Sequence, residues 1–248
     1  MEPMDARAVR LFVDDLESFT PCKKNGERDR IEHMVSYIHS CSVQHFTEDE
    51  SVKVLLAIRL AARHHKGIYR ASGESYITHP LEIAYDLSCS GIHIFELIVS
   101  AIVHDVPEDK PTPESRYCAE TEIEVYFGVE VKALVKDVTK DFFETKAEDW
   151  ANREKHFLAL AKSKRWQAKF LKIRDRRHNM STIGSVSPEA RQRKTNETNK
   201  WFPLICDSLI KQLNKELEKV ETTKERMQFM LVKKMVMDFQ KDLNTNET

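Results

Sequence analysis

An all-α fold is predicted by three features of this 248-residue sequence. Apolar residues recur at intervals of three and four along most of the chain, which is the pattern of amphipathic helices that pack on a core. Runs of alternating β-branched residues, which would indicate strands, are few. Only six glycines interrupt the helical pattern. A chain of this length buries about three quarters of its unfolded surface, so a sizeable core is expected.

The predicted helices follow one another from end to end of the chain. Each is assigned from the spacing of its apolar residues, as with Val9, Phe12 and Leu16 in the first. The predicted helices span residues 5–19, 28–40, 47–67, 79–91, 92–106, 112–127, 129–139, 150–162, 166–181, 189–209 and 222–243.

Local signals set the ends of the first three helices. Thr20-Pro21 ends the first, because proline disfavours the helical conformation at the residue before it. Thr47 and Glu50 begin the third with a capping box, in which each side chain can satisfy a free backbone amide. The polar segment 67–80 then reads as a loop. Loops on a helical scaffold present side chains freely, so substrate contacts are expected there.

Proline and glycine also delimit the helices in the middle of the chain. His79-Pro80 opens the fourth helix, with proline in its first turn, and Gly91 ends it. The next helix is the most apolar, and Pro107 is expected to break it around Val106. Thr112 caps the helix after that. The highly charged residues 140–149 are expected to form a mobile connection or a short turn.

Charge and cysteine content exclude several classes of protein. The 39 Lys and Arg residues nearly cancel the 40 Asp and Glu residues, leaving a net charge of -1, which gives no case for binding nucleic acid or a membrane surface. The five cysteines are odd in number and form no CxxC pair, which favours a reducing compartment. No signal peptide or membrane-spanning run is recognisable. A cytoplasmic location is therefore expected.

An adjacent imidazole and carboxylate, His104-Asp105, stand at the polar end of the central apolar helix. Without thiolates, such a pair suits a divalent ion such as Mn, Fe or Zn. Two ligands do not hold an ion, so His79 and Asp175 are expected to complete a site that forms on folding. Glu108 and Asp109 follow directly and could orient a water molecule or take its proton.

Four polar residues share one face of the helix predicted over residues 166–181. Lys172, Asp175, Arg176 and Asn179 recur at intervals of three or four. A metal ligand, two cations and an amide on one stripe predict a phosphate site, and phosphate ester cleavage is the expected use of the ion. Together with Arg70, Lys172 and Arg176 would balance phosphate charge, and Asn179 could hydrogen-bond a sugar or base.

The order of these parts resembles the HD superfamily of metal-dependent phosphohydrolases. In detail it resembles the hydrolase domain of the Rel/SpoT alarmone enzymes, over roughly residues 52–186. The resemblance is carried by four blocks, Arg70-x-Ser72-Gly73-Glu74-x-Tyr76-Ile77-Thr78-His79-Pro80, His104-Asp105-x-x-Glu108-Asp109, Phe127-Gly128-x-x-Val131-x-x-Leu134-Val135-x-x-Val138-Thr139-Lys140 and Lys172-x-x-Asp175-Arg176-x-x-Asn179-Met180.

The resemblance implies an HD-domain helical bundle that hydrolyses (p)ppGpp at the 3′ position, giving GDP or GTP and pyrophosphate. One manganese ion would be held by His79, His104, Asp105 and Asp175, with Glu108 and Asp109 as the catalytic carboxylates.

By position in the family pattern, Arg70 and Ser72 would contact guanine, Asn179 the ribose region and Thr182 the base. Several positions depart from the pattern. Ser75 stands where proline is usual, Ala71 where Lys or Ser is common and Ile68 where glutamine is usual, and Pro107 and Lys110 change the block that begins at His104.

The predicted organisation is an N-terminal helical extension (1–46), an HD hydrolase core (47–187) and a C-terminal helical extension (188–248) that packs on or extends the core. The segment after the core is too short for the synthetase domain of the long Rel/SpoT enzymes. A stand-alone small alarmone hydrolase is therefore expected, with functional opposition to an alarmone synthetase as its expected role.

Two other functions stay open from the sequence. The first is an HD hydrolase of another phosphorylated nucleotide, such as an adenosine alarmone or an NADPH-like dinucleotide. The second is a non-catalytic nucleotide sensor that works through its terminal extensions. The remaining histidines of interest, His64, His65, His93 and His178, are interpreted as structural, exposed or supporting residues and not as ligands.

Overall fold

The computed structural model describes residues 1–140 and 146–245, with the backbone alone for residues 146–150 and 244–245. The described residues form eleven α-helices and a single isolated β-bridge, so the predicted all-α class is confirmed. The helices are α1 (Ala6–Phe19), α2 (Glu27–His45), α3 (Glu48–His64), α4 (Thr78–Cys89), α5 (Phe95–Val103), α6 (Pro113–Phe127), α7 (Val129–Val138), α8 (Lys146–Lys162), α9 (Trp166–Ser181), α10 (Pro188–Lys219) and α11 (Thr223–Thr245).

The two predicted helix caps are present, and α1 has a further cap that was not predicted. Asp5 caps α1, and the Thr47–Glu50 capping box begins α3 as expected. Thr112 caps α6 through a second box in which Ser115 is the partner. The side chains at these positions accept or donate the terminal hydrogen bonds that the first helical turn cannot make internally.

The structure differs from the prediction at several helix ends. The central helix begins at Phe95 instead of Ile92, because Ile94 has an extended backbone (φ -118°, ψ 114°) after the left-handed turn at Gly91. The helix α2 continues to His45 and α10 to Lys219. The helix α8 begins at Lys146. Of the connection predicted over residues 140–149, residues 141–145 lie outside the described part of the chain.

The chain divides into two compact units, Met1–Ala133 and Leu134–Thr248. The predicted boundaries at 46/47 and 187/188 stay predictions.

In the first unit, α5 packs on α3 and α4, and α2 packs on α1, α3 and α4. Aliphatic side chains fill this core, and the largest that are fully buried include Ile38, Ile58, Leu81, Leu97 and Ile102.

The second unit has an aromatic core. Here α10 packs on α8, α9 and α11, and Phe202 lies at its centre with ring contacts to Phe157 (5.7 Å between centroids) and Phe239 (6.1 Å). Pro203 lies inside α10. Over the part of the chain that the structure describes, no helix combines the length and apolar character that a membrane span requires.

Candidate metal centre

The start of α4 positions His79. The residues just before the helix form turns in which the His79 amide donates to the Tyr76 carbonyl (3.1 Å) and the Thr78 hydroxyl donates to the Ser75 carbonyl (2.9 Å). The His79 side chain is 2% exposed. A buried imidazole at a fixed helix start is well placed to act as a ligand, because its orientation is set by the backbone before any ion binds.

The end of α5 positions the predicted His104-Asp105 pair. The helix ends at Val103, in agreement with the expected break before Pro107. His104 Nδ1 lies 2.9 Å from the carbonyl oxygen of Ala101. Because a carbonyl only accepts hydrogen bonds, Nδ1 must carry the proton and Nε2 is left as the coordinating nitrogen.

Three predicted ligands converge in the first unit. His79 Nε2 lies 3.4 Å from one carboxylate oxygen of Asp105, and His104 Nε2 lies 3.2 Å from the other. One ligand atom from each of the three lies within 4.8 Å of the others. Ligands about 2.1 Å from a common ion are about 3.0–3.4 Å apart, so the donor types and their spacing fit a divalent ion.

Tyr76 supports the carboxylate of this trio, a contact that the sequence analysis did not predict. The Tyr76 hydroxyl donates to Asp105 Oδ2 at 2.8 Å. The phenol thereby fixes the plane of the carboxylate, as outer hydrogen bonds commonly do for metal ligands. Tyr76 was visible in the sequence only as a member of a family block, and nothing in its spacing indicated a contact with Asp105.

The two predicted catalytic carboxylates lie on the turn that follows α5. Glu108 is half-buried and Asp109 is exposed. Asp109 Oδ2 lies 3.2 Å from Nδ1 of His65, although the angles are not those of a hydrogen bond. His65 is 2% exposed and stacks on the Tyr76 ring at 4.4 Å between centroids. The histidine therefore contacts two residues of the site, which its predicted structural role did not specify.

A second polar cluster joins α3 to α6. Arg63 and His64 both contact Glu122, the latter at 2.7 Å. Burial alone would raise the pKa of Glu122, but these hydrogen bonds outweigh it and the pKa is lowered. Burial lowers the pKa of His64 in turn. His64 thus serves a structural pair, in line with its interpretation from the sequence.

The loop predicted to hold substrate contacts forms a short hairpin. A β-bridge pairs Tyr69 with Ser75, and the Arg70 amide donates to the Glu74 carbonyl at 2.8 Å. The Ser72 hydroxyl donates to a Glu74 carboxylate oxygen at 3.1 Å. Gly73 forms the tip with φ +88°, a conformation that side chains disfavour. Arg70 and Ser72 are both half-buried on this hairpin.

The predicted stripe on α9 forms, and most of it is buried. Lys172 Nζ lies 3.1 Å from Asp175 Oδ2, and Asn179 donates to the other oxygen of Asp175. Arg176 pairs with Glu197 at 3.0 Å and lies over the Phe202 ring. These contacts favour a structural role for Arg176, whose assignment to substrate stays a prediction. Thr182, the C-cap of α9, lies near the carbonyls of residues 178 and 179.

The structure therefore brings together His79, His104 and Asp105. Asp175 belongs to the second compact unit, and its convergence with the other three ligands stays a prediction. The assignments of Glu108 and Asp109 to catalysis, and of the α9 and hairpin residues to substrate, also stay predictions. The contacts of Tyr76 and His65 with the site were not predicted from the sequence.

Comparison with known proteins gives one family match. Residues 57–205 match the family described as HD domain. This range contains the three converging ligands, the turn with Glu108 and Asp109, and the whole of α9. It covers more than half of the 248 residues.

Among curated proteins, the chain is similar to several alarmone enzymes. It is 33% identical over 184 residues to the bifunctional (p)ppGpp synthase/hydrolase SpoT of Escherichia coli K12, which is 72% of this chain and 25% of that protein. It is 36% identical over 160 residues to the guanosine-3′,5′-bis(diphosphate) 3′-pyrophosphohydrolase of Haemophilus influenzae, covering 62% and 22% of the two chains. The chain thus spans about a quarter of the length of these relatives.

A solved structure is also similar. It belongs to a metazoan ortholog of SpoT, described as hydrolysing ppGpp and playing a role in starvation responses. The TM-score is 0.52 at 20% sequence identity, covering 74% of this chain and 94% of that chain. At this identity, the likeness shows a shared fold.

Proposed function

The chain belongs to the HD domain family, and on that premise we propose that it is a metal-dependent phosphohydrolase of (p)ppGpp, releasing pyrophosphate from the 3′ position and leaving GDP or GTP. The observation that carries the proposal is the convergence of His79, His104 and Asp105 within one family match. The names of the E. coli and H. influenzae relatives support the choice of substrate.

The proposed cofactor is one manganese ion, held by His79, His104, Asp105 and Asp175. When bound, a divalent ion supplies Lewis acidity, which activates water and neutralises developing phosphate charge. The chain's own contribution is orientation, because the Ala101 carbonyl fixes the His104 tautomer and the Tyr76 hydroxyl fixes the Asp105 carboxylate. Both contacts would be in place before the ion and the substrate arrive.

Proton transfer is assigned to the turn after α5. Glu108 or Asp109 would hold the attacking water by a hydrogen bond and accept its proton as the bond to phosphorus forms. His65, 3.2 Å from Asp109, would restrain that carboxylate next to the Tyr76 ring. The proton would then leave through the exposed side of Asp109.

Substrate binding is assigned to the hairpin and to α9. Arg70 and Ser72 would contact the guanine, and Asn179 and Thr182 the ribose and base. Lys172, already 3.1 Å from Asp175, would balance phosphate charge. A cytoplasmic location and functional opposition to an alarmone synthetase also belong to the proposal, supported by cysteines that are free throughout the described residues.

A metal-dependent turnover assay tests the proposal. The purified chain, loaded with manganese, is incubated separately with guanosine tetraphosphate, adenosine tetraphosphate and NADPH, and release of pyrophosphate or phosphate is measured. Pyrophosphate release from the guanosine compound, lost on adding EDTA and restored by manganese, is the expected result. Exclusive turnover of either adenosine compound would replace the substrate. Failure to bind manganese or turn over any of the three would overturn the enzyme assignment.

A further inference from the structure

A buried carboxylate ties the turn before α2 to the substrate hairpin. Glu27 is 2% exposed and accepts hydrogen bonds from both segments. One oxygen accepts from the amides of Lys23 (3.0 Å) and Lys24 (3.1 Å). The other accepts from the amide (2.7 Å) and the hydroxyl (2.5 Å) of Ser75. Two segments that lie about fifty residues apart in the chain are therefore held as one surface.

The two lysines of this turn lie against the hairpin in different ways. Lys23 Nζ lies over the Tyr69 ring, 3.4 Å from its centroid, so its charge already has an aromatic partner. Lys24 lies across the tip, where a Cβ built on Gly73 would be 3.1 Å from Lys24 Cε and 3.7 Å from Nζ. The glycine therefore leaves room for the lysine as well as permitting the positive φ.

The charge of Lys24 is not balanced locally. The nearby carboxylates are engaged elsewhere, since Glu74 pairs with Arg30 at 2.6 Å and Glu17 pairs with Arg28. Glu27 accepts from backbone amides and a hydroxyl. Over the described residues, no carboxylate oxygen lies within 4.0 Å of the Lys24 ammonium, which is exposed. An ammonium held beside a binding loop without a carboxylate partner is suited to an anionic ligand.

The hairpin has one end at the metal centre and the other at Lys24. Tyr76 donates to Asp105, whereas the Lys24 side chain lies beside Gly73, and the two positions are three apart in the sequence. Their Cα atoms are at most about 11 Å apart. A nucleotide phosphorylated on both sides of its ribose could thus place one phosphate group at the ion and the other at the hairpin tip.

We propose that the Cys22–Gly26 turn is a second wall of the substrate pocket, and that Lys24 binds the 5′-diphosphate of the nucleotide while its 3′-diphosphate lies at the metal centre. The inference rests on the proposed function and deepens it by assigning the phosphate group that the metal does not hold. Glu27 is the positioning residue of this wall, because it fixes the Lys24 backbone relative to the hairpin.

The test compares two substrates that differ only at the 5′ end, guanosine tetraphosphate and guanosine 3′-diphosphate with a free 5′-hydroxyl. In Lys24→Met, KM for the tetraphosphate should rise about three- to tenfold, with kcat unchanged and KM for the 5′-hydroxyl compound within about twofold of wild type. Lys24→Arg should restore most of the affinity. Lys53→Met, which removes a lysine paired with Asp49 on α3, is the control of equal charge and should leave KM unchanged.

Two results would overturn the inference while the proposed function stands. One is an active Lys24→Met enzyme with unchanged KM for the tetraphosphate, and the other is an equal rise in KM for both substrates. A wild-type chain that hydrolyses neither compound overturns the proposed function, and the inference with it.

Discussion

The metal centre in the first unit and the polar stripe of α9 contain similar residues in different surroundings. Asp105 is faced by two buried imidazoles and a phenol, whereas Asp175 is faced by Lys172 and Asn179. Arg176 on the same stripe pairs with Glu197, which is 1% exposed. Both cations of the stripe therefore pair with carboxylates of the protein itself. A polar face on a helix can therefore be an internal ion-pair network, whereas converging ligand atoms are a more specific sign of chemistry.

The largest effect of a substitution is expected at the metal centre, where the measured quantity is catalytic efficiency. His104→Ala removes one of the three converging ligands, so kcat/KM for guanosine tetraphosphate should fall by at least about 1,000-fold, about 4 kcal/mol of transition-state stabilisation. Manganese content measured on the purified variant should fall with it. His33→Ala, which removes an imidazole that lies 3.0 Å from the Tyr85 hydroxyl, should keep wild-type activity. Retention of a tenth of the activity by His104→Ala would contradict the assignment.

The next largest effect is expected at the polar stripe of α9, where the measured quantity is the free energy of unfolding. Glu197→Gln takes the carboxylate from buried Arg176, which should lower the free energy of unfolding by about 3 kcal/mol, with kcat per folded molecule little changed. All three tryptophans of the chain belong to the second unit, so urea unfolding followed by tryptophan fluorescence reports on it.

Glu218→Gln, on an exposed position of the same helix, should cost less than about 0.5 kcal/mol. If Glu197→Gln instead kept full stability but raised KM, Arg176 would belong to the substrate site and the contrast between the two regions would disappear.

A smaller effect is expected when a supporting hydrogen bond is removed from the metal centre. Tyr76→Phe deletes the donor to Asp105 and should weaken manganese binding about tenfold, while excess manganese restores turnover. Metal titration followed by activity measures both quantities. Tyr85→Phe, which removes a hydroxyl bonded to His33, is the matched control. An unchanged manganese affinity in Tyr76→Phe would show that the carboxylate is oriented by other contacts.

The smallest expected effect is a pH dependence of folding stability that comes from Glu27 in the first unit. Burial tends to raise the pKa of Glu27, but hydrogen bonds from Ser75, Lys24 and Lys23 outweigh it, so the pKa lies below 4.5. A lowered folded pKa means that the ionised form stabilises the fold. The stability difference between wild type and Glu27→Gln should be complete above about pH 4.5 and shrink as the pH falls through the folded pKa. Urea unfolding followed by circular dichroism between pH 7 and 3 measures it, and a difference that grows on acidification would contradict the assignment.

Local signals predicted most of the fold, because capping and proline act within a few residues. The Thr47 and Thr112 caps and the end of α5 before Pro107 are confirmed. The predicted start of α5 was wrong, because apolar residues such as Ile92 and Ile94 suit a buried extended segment as well as a helix. Hydrophobic periodicity alone does not separate the two.

The site was predictable where residue chemistry is distinctive and unpredictable where support comes from distant residues. His79, His104 and Asp105 were predicted as ligands from their residue types, and the structure brings the three together. The Glu27 contacts with Ser75 join residues 48 apart, and Tyr76 reaches Asp105 across 29 residues. No spacing rule relates such pairs, because their proximity is a product of helix packing.

Pro203 divides α10 into two halves that can differ in local stability. Proline has no amide hydrogen, so the Asn199 carbonyl lacks its helical donor at that point. The half before it contains Glu197, whereas the half after it is joined to α11 by Asp207 with Gln240 and by the Leu217 carbonyl with Arg226. Because different partners hold the two halves, one half can open by a local fluctuation without the other, and amide hydrogen exchange should show two separate levels of protection along α10.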